Sequence, residues 1–113
     1  MNCIFCEIVK GNIETDAIYE DDKIIAFNDQ NPQAPVHFLV IPKEHISSAN
    51  EINSANASII GDIYAAVAKL AKEMGFAEDG YRIVNNCGND GGQTVHHIHF
   101  HVLAGRSLQW PPG

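Results

Sequence analysis

The chain alternates between short stretches of two-residue period and one long stretch of helical period. Ile59, Ile60, Ile63, Tyr64, Val67, Leu70, Ala71 and Met74 recur at the spacing of a single helix face. Residues 54–74 are therefore expected to form the one long helix, with Gly75 as its stop. Ile4, Phe5, Ile8 and Val9 fall on one side of a short N-terminal helix that Gly11 can end. Between these, residues 17–20 and 24–28 read as two strands joined by the acidic turn Asp21-Asp22. Residues 29–35 read as a loop in which Pro32 and Pro35 oppose regular structure, and residues 37–41 as a third strand stopped by Pro42. Residues 81–86 make a fourth strand and residues 95–104 a fifth. The turn between them, residues 87–92 (CGNDGG), is suited to bringing backbone amides near an anion. The order helix, three strands, long helix, hairpin predicts an α+β domain on a five-stranded antiparallel sheet.

Length and composition narrow this further. A chain of 113 residues has room for one core, so residues 1–113 are read as a single domain. Apolar residues at 45% and charged residues at 19% describe an ordinary globular protein and not a disordered one. No apolar run approaches the roughly 18 residues that a bilayer span requires. The opening Met1-Asn2-Cys3-Ile4 lacks the basic and then apolar regions of a secretory signal, so the expected compartment is the cytoplasm. There the three cysteines are expected as thiols or metal ligands, not disulfides. A formal net charge of −7 disfavours a nucleic acid polymer as partner, because such binding relies on Lys and Arg displacing counterions. One small anionic ligand held by local donors is still compatible with it.

The chemistry concentrates near the C-terminus, where four of the six histidines fall in His96-His97-Ile98-His99-Phe100-His101. Strand period places His97, His99 and His101 on one face, with His96, Ile98, Phe100 and Val102 on the other. Three polar residues on a solvent face is the plainest account. A three-histidine metal site is excluded by distance: at about 3.3 Å per residue, His97 and His101 lie roughly 13 Å apart. A metal with nitrogen bonds of about 2 Å cannot gather all three from a regular strand. The row suits an extended ligand or two neighbouring sites. Cys3 and Cys6 form a second motif that, taken alone, is a redox pair, half a zinc site or chance; at the opening of the chain it is not in the βαβ context of a thioredoxin-like motif. No Gly-Lys-Ser/Thr phosphate loop is present.

The stretch His97-Ile98-His99-Phe100-His101-Val102-Leu103 resembles the His-φ-His-φ-His-φ-φ signature of the histidine-triad superfamily. Gly91-Gly92-Gln93-Thr94-Val95 before it, and Gly105-Arg106 and Trp110-Pro111-Pro112-Gly113 after it, are similar to the nucleotide-binding Hint branch. The similarity continues upstream through Ala26-Phe27-Asn28-Asp29, Pro32-Gln33-Ala34-Pro35 and the segment His37-Phe38-Leu39-Val40-Ile41-Pro42-Lys43. This resemblance implies a nucleotide hydrolase with His99 as the nucleophile. His101 would contact phosphate and handle protons, in part through Thr94, and His37 would support it from behind. Asn86 and Thr94 are implied as phosphate contacts, Asp29 as the acceptor of both ribose hydroxyls, and Ile4, Phe5, Ile8 and Phe27 as the purine pocket. Gln30, where a branched apolar residue is usual, and His96, where an aromatic is common, depart from the pattern.

The chemistry agrees with that assignment. A neutral imidazole can attack phosphorus without first losing a proton, and a covalent nucleotidyl-imidazole divides one hard displacement into two. An amine leaving group needs a proton, which an imidazolium at His101 would supply. The resemblance also implies that Cys3 and Cys6 join His45 and His97 around a structural zinc, needed for the N-terminus and not for catalysis. Cys87 is expected to be a small filler. The implied activity is hydrolysis of purine nucleoside phosphoramidates to nucleoside monophosphate and amine, by a homodimer that meets through the long helix and the strand after it. Trp110 is implied to dock on the partner near the leaving group. The rivals are a dinucleoside polyphosphate hydrolase, against which the Trp-Pro-Pro-Gly ending weighs, and a nucleotide-binding regulator with vestigial catalysis, against which intact His99, His101 and Asn86 weigh.

Overall fold

The computed structural model describes residues 3–113; Met1 and Asn2, half of the segment read above for the absence of a signal, lie outside them. Among the described residues no helix is long and apolar enough to cross a membrane. The elements follow in the order α1 (Ile4–Val9), β1 (Ala17–Glu20), β2 (Ile24–Asn28), β3 (Val36–Pro42), α2 (Ser58–Met74), β4 (Tyr81–Val84) and β5 (Phe100–Ala104). A 3-10 turn at Ala49–Glu51, which the hydrophobic pattern does not reveal, leads towards α2. The five strands form one antiparallel sheet in the order β1-β2-β3-β5-β4, as expected for the α+β class.

The two-residue period of the strands divides the core in two. Ile24 and Ala26 of β2, Phe38 and Val40 of β3, and Phe100, Val102 and Ala104 of β5 face α2. They meet Ile63, Ala66, Val67, Leu70 and Ala71, the buried stripe of that helix. Ile25, Phe27, Leu39 and Ile41 face the other way, where Phe5 of α1 and Cys3 close a smaller cluster. The residues at odd positions of β3 and β5 share this second face, so His37 and His101 arrive beside Leu39. The register pairs His37 with Leu103 and Leu39 with His101, which makes the two histidines diagonal neighbours.

Several boundaries differ from the sequence pattern for local reasons. The long helix starts at Ser58, not at residue 54, because the Asn53 carboxamide oxygen accepts the Ala55 N–H and Asn56 accepts the Asn53 N–H, each at 2.8 Å. Such side-chain turns compete with helix. Tyr64 and Met74, read into the helix stripe, are exposed on the single chain. Ile4, read onto the buried side of α1 with Phe5, is 52% exposed, since adjacent helical residues point about 100° apart. The third strand runs from Val36 and includes Pro42, which pairs with Ile24. The fourth strand ends at Val84, not Asn86, and the fifth begins at Phe100, not Val95. Residues 95–99 are therefore outside the ladder, although Ile98 is still buried against α2, and His97 and His99 still turn to the opposite side. His96, expected on the core-facing side, is exposed because the chain bends there.

Gly105 fixes the exit of β5. Its φ is +93°, and a Cβ there would sit 2.8 Å from the Pro35 Cβ, at the entry to β3 and the His37 segment. Gly105→Ala should therefore lose about 1–3 kcal/mol of folding stability, from strain at positive φ and from the collision. Chemical denaturation would measure this, and a variant as stable as the parent would show that Pro35 yields freely.

Candidate functional site

The hydrogen bonds around each histidine fix which of its nitrogens carries a proton. A carbonyl can only accept, so the 2.8 Å contact of His97 Nε2 with the Pro42 carbonyl places the proton on Nε2 and leaves a lone pair on Nδ1. Likewise His99 Nδ1 donates to the His97 carbonyl at 2.8 Å, which leaves the lone pair on Nε2. His99 Nε2 has no partner among the described residues, and no fully buried side-chain nitrogen or oxygen goes unpaired, so Nε2 opens towards solvent. The Gln33 N–H donates to His37 Nδ1 at 3.0 Å, so His37 carries its proton on Nε2 and passes a 2.9 Å hydrogen bond to His101 Nδ1. The Nε2–H of His101 then has no partner among the described residues. One ring thus offers a lone pair and its neighbour a proton, with ring centroids 5.2 Å apart.

Electrostatics changes the role expected for His101. Burial, followed by the nearby His99 and His37, pushes it down to about 4 despite the opposing pull of Asp29. In the free protein at neutral pH His101 is a neutral hydrogen-bond donor. Asp29 has two roles. Its Oδ1 accepts the Asn31 N–H at 2.8 Å and so caps the loop, while Oδ2 stands 3.5 Å from His37 Nε2 and 3.9 Å from His101 Nδ1.

The triad divides between two groups of side chains. His97 joins Cys3, Cys6 and His45 in a cluster whose donor atoms lie within 4.8 Å of one another. His45 Nδ1 is 3.2 Å from His97 Nδ1 and 3.3 Å from Cys6 Sγ, and His97 Nδ1 lies 3.4 Å and 3.6 Å from Cys3 Sγ and Cys6 Sγ. A tetrahedron around zinc, with bonds of about 2.0–2.3 Å, has edges of about 3.3–3.8 Å, so this donor set fits such an ion. The lone pair of His97 already points inward, and its other nitrogen is anchored on Pro42, the arrangement that orients metal-bound imidazoles. His101 belongs instead with Asp29 and His37, and His99 with neither group.

The apolar residues expected around a purine do enclose a cavity. Ile4, Phe5, Ile8 and Phe27, with Leu39, line a space of about 180 Å³ whose polar rim includes Asp29 and Gln30. Phe5 is both core and wall: it packs edge-on against Phe27, and its centroid lies 5.1 Å from that of His99. Thr94 is exposed on a larger open groove that it shares with Ile4, Glu7, His45 and His96, and it makes no hydrogen bond to His101. Asn86 is half-buried with its carboxamide uncommitted among the described residues. Its loop is tied down by Gln93, which accepts the Gly88 N–H and donates to the Ser47 and Val95 carbonyls, and Cys87 is a half-buried free thiol there. A side chain at Gly91 would run into the Cys87 carbonyl. Trp110, 82% exposed, is not brought to the triad by this chain, and the Arg82 guanidinium holds the neighbouring Gln109 carbonyl.

Three partners were not visible in the residue pattern. The Gln33 N–H and the Pro42 carbonyl act through backbone groups, which side-chain identity does not report. Asn85 donates from its carboxamide to the His99 carbonyl at 2.9 Å, and its only sequence signal is an amide at a strand exit before a glycine turn.

The chain resembles known proteins in both sequence and fold. It is 48% identical over 110 residues to an uncharacterised HIT-like protein of Synechococcus elongatus, covering 97% of this chain and 96% of that one. It is 43% identical over 105 residues to the purine nucleoside phosphoramidase of Escherichia coli, covering 93% and 88%. The crystal structure of a HIT family hydrolase from Legionella pneumophila superposes with a TM-score of 0.97 at 46% identity, over 99% of this chain and 100% of that chain. The model of the HIT domain matches residues 10–108, and the chain belongs to that family.

Proposed function

We propose that this protein hydrolyses purine nucleoside 5′-phosphoramidates to a nucleoside monophosphate and an amine, through a covalent nucleotide on His99. The observation that carries this reading is the ring of His99, whose Nδ1–H is held by the His97 carbonyl while Nε2 opens beside the His101 donor. The similarity to a purine nucleoside phosphoramidase of Escherichia coli supports the substrate class. Attack by Nε2 on the α-phosphorus expels the amine, and water then releases the monophosphate. The Nε2–H of His101, the Asn86 carboxamide and the Thr94 hydroxyl receive the charge on the phosphoryl oxygens. An anionic phosphate beside His101 raises its proton affinity, so the proton destined for the amine enters with the substrate. Asp29 Oδ2 takes the ribose hydroxyls, and Ile4, Phe5, Ile8 and Phe27 take the base.

Zinc held by Cys3, Cys6, His45 and His97 would have a structural part only, pinning α1 to the end of β3 and to the first triad histidine. A homodimer through α2 and β4 would cover Tyr64, Met74 and Tyr81, exposed here, and would bring Trp110 to the partner's leaving-group side.

Three outcomes are expected. His99→Ala should lower turnover of a nucleoside phosphoramidate by at least roughly a thousandfold while still binding the monophosphate; activity within tenfold of the parent would remove His99 from the nucleophile's role. In an NMR titration His101 should stay neutral until about pH 4 and should gain its proton at higher pH once a monophosphate is bound. Because the unfolded chain binds that proton near pH 6.5, wild type should lose stability relative to His101→Gln as pH falls from 6.5 to 4; a His101 midpoint near 6.5 in the free protein would contradict the buried neutral ring. Elemental analysis should find about one zinc per chain, absent in Cys3→Ser, with a lower Tm in that variant. A metal-free parent of unchanged stability would refute the structural zinc.

A further inference from the structure

The nucleophile stands on a stretch of chain that has left the sheet. The β4–β5 ladder ends at the pair Val84–His101, and residues 95–99 take no part in it. Ile98 is buried against α2 and the Val95 carbonyl accepts from the Gln93 carboxamide, and three further bonds come from separate elements. The His97 ring donates to the Pro42 carbonyl at the end of β3, the Ile98 N–H donates to the Ile46 carbonyl at 2.6 Å, and the His99 carbonyl accepts from the Asn85 carboxamide at 2.9 Å. The last is the one such bond made at the nucleophile's own peptide by a side chain. It continues the hairpin by one rung where the two backbones have already separated, with the carboxamide standing in for a peptide N–H.

We propose that Asn85 is a positioning residue for the phosphoryl-transfer step, one that fixes the peptide of His99 relative to the phosphate-binding loop. This role rests on His99 being the nucleophile. Asn85 is followed at once by Asn86 and the glycine loop that would hold the phosphate. Two consecutive residues therefore serve the two reacting partners: Asn85 ties down the backbone that carries the imidazole, and Asn86 offers its carboxamide to the phosphoryl oxygens. Attack requires the Nε2 lone pair and phosphorus at a fixed separation and angle, and a displacement of about 1 Å costs about 100-fold in rate. Without the Asn85 donor the His99 carbonyl is released. The ring, whose Nδ1–H is held only by the neighbouring His97 carbonyl, moves with its own segment and not with the phosphate loop. Asn85 touches neither base nor ribose, so its loss falls on the chemical step and not on binding.

Asn85→Asp keeps the shape but replaces the donor with an acceptor, and Asn85→Ala removes donor and charge alike. On an adenosine or guanosine 5′-phosphoramidate both should lower kcat by about 10- to 100-fold, with KM and the Kd for the monophosphate within about twofold of the parent. In a 15N-resolved spectrum the ring signals of His99 should shift while those of His37 and His101 stay in place. Asn85→Gln, which keeps the donor, should recover part of the lost rate. His99→Ala in the same assay separates the two ideas: an active His99→Ala would remove the nucleophile itself. With His99→Ala inactive, a parental kcat in Asn85→Asp and Asn85→Ala would overturn the positioning role. A matching loss of kcat, nucleotide affinity and Tm would also overturn it, by showing that Asn85 merely supports the fold.

Discussion

The site depends on one hydrogen bond, from His99 Nδ1–H to the carbonyl of His97. It chooses the tautomer, aims the second nitrogen outward, and does so through a residue that is itself held on both sides. The His97 ring is fully buried, donates to Pro42 and turns its other nitrogen into the cysteine-histidine cluster. Whatever immobilises His97 therefore immobilises the acceptor on which His99 depends. The imidazole beside it is set from a different direction, through the Gln33 N–H, the His37 ring and then His101. The lone pair of one ring and the proton of the other are consequences of backbone carbonyls and amides placed by β3 and its loop.

Burying His37, His97 and His99 against the α1 side of the sheet would be costly if any polar atom were left unpaired. Among the described residues no fully buried side-chain nitrogen or oxygen is, and His99 Nε2, which has no partner, is not fully buried. Burial and mutual proximity keep His101 neutral, so that ring brings no positive charge to the free site in a chain of net charge −7. An anion arriving beside His101 would raise the proton affinity of that ring. Phe5 links these effects, because the same ring packs on His99, closes the α1 cluster and lines the cavity beside Asp29.

Much of this was legible from residue types. The stripe on α2 and the alternation of β2, β3 and β5 follow from period. Distance left an extended ligand or two neighbouring sites open for the histidine row, and only the family resemblance grouped His97 with Cys3, Cys6 and His45. The alternation of Ile98, Phe100 and Val102 against His97, His99 and His101 survives even where the ladder does not. What could not be read has a physical reason in each case. Asn53 and Asn56 fold back on the chain and delay α2, a competition that helical period does not register. The charge state of His101 depends on burial and on rings distant in sequence. Gln33 and Pro42 act through a backbone N–H and a backbone carbonyl, which side-chain identity does not report.

The central claim is that His99 Nε2 is the atom that bonds to phosphorus. Its most direct test is to quench a turning-over sample under denaturing, mildly alkaline conditions, digest it, and locate the nucleotide by mass spectrometry. Selective 15N labelling with 31P coupling would identify the bonded nitrogen. The account predicts one nucleotide on the peptide containing His99, bonded to Nε2. A nucleotide on His101 or on Nδ1, or turnover with no covalent species on any histidine, would contradict it.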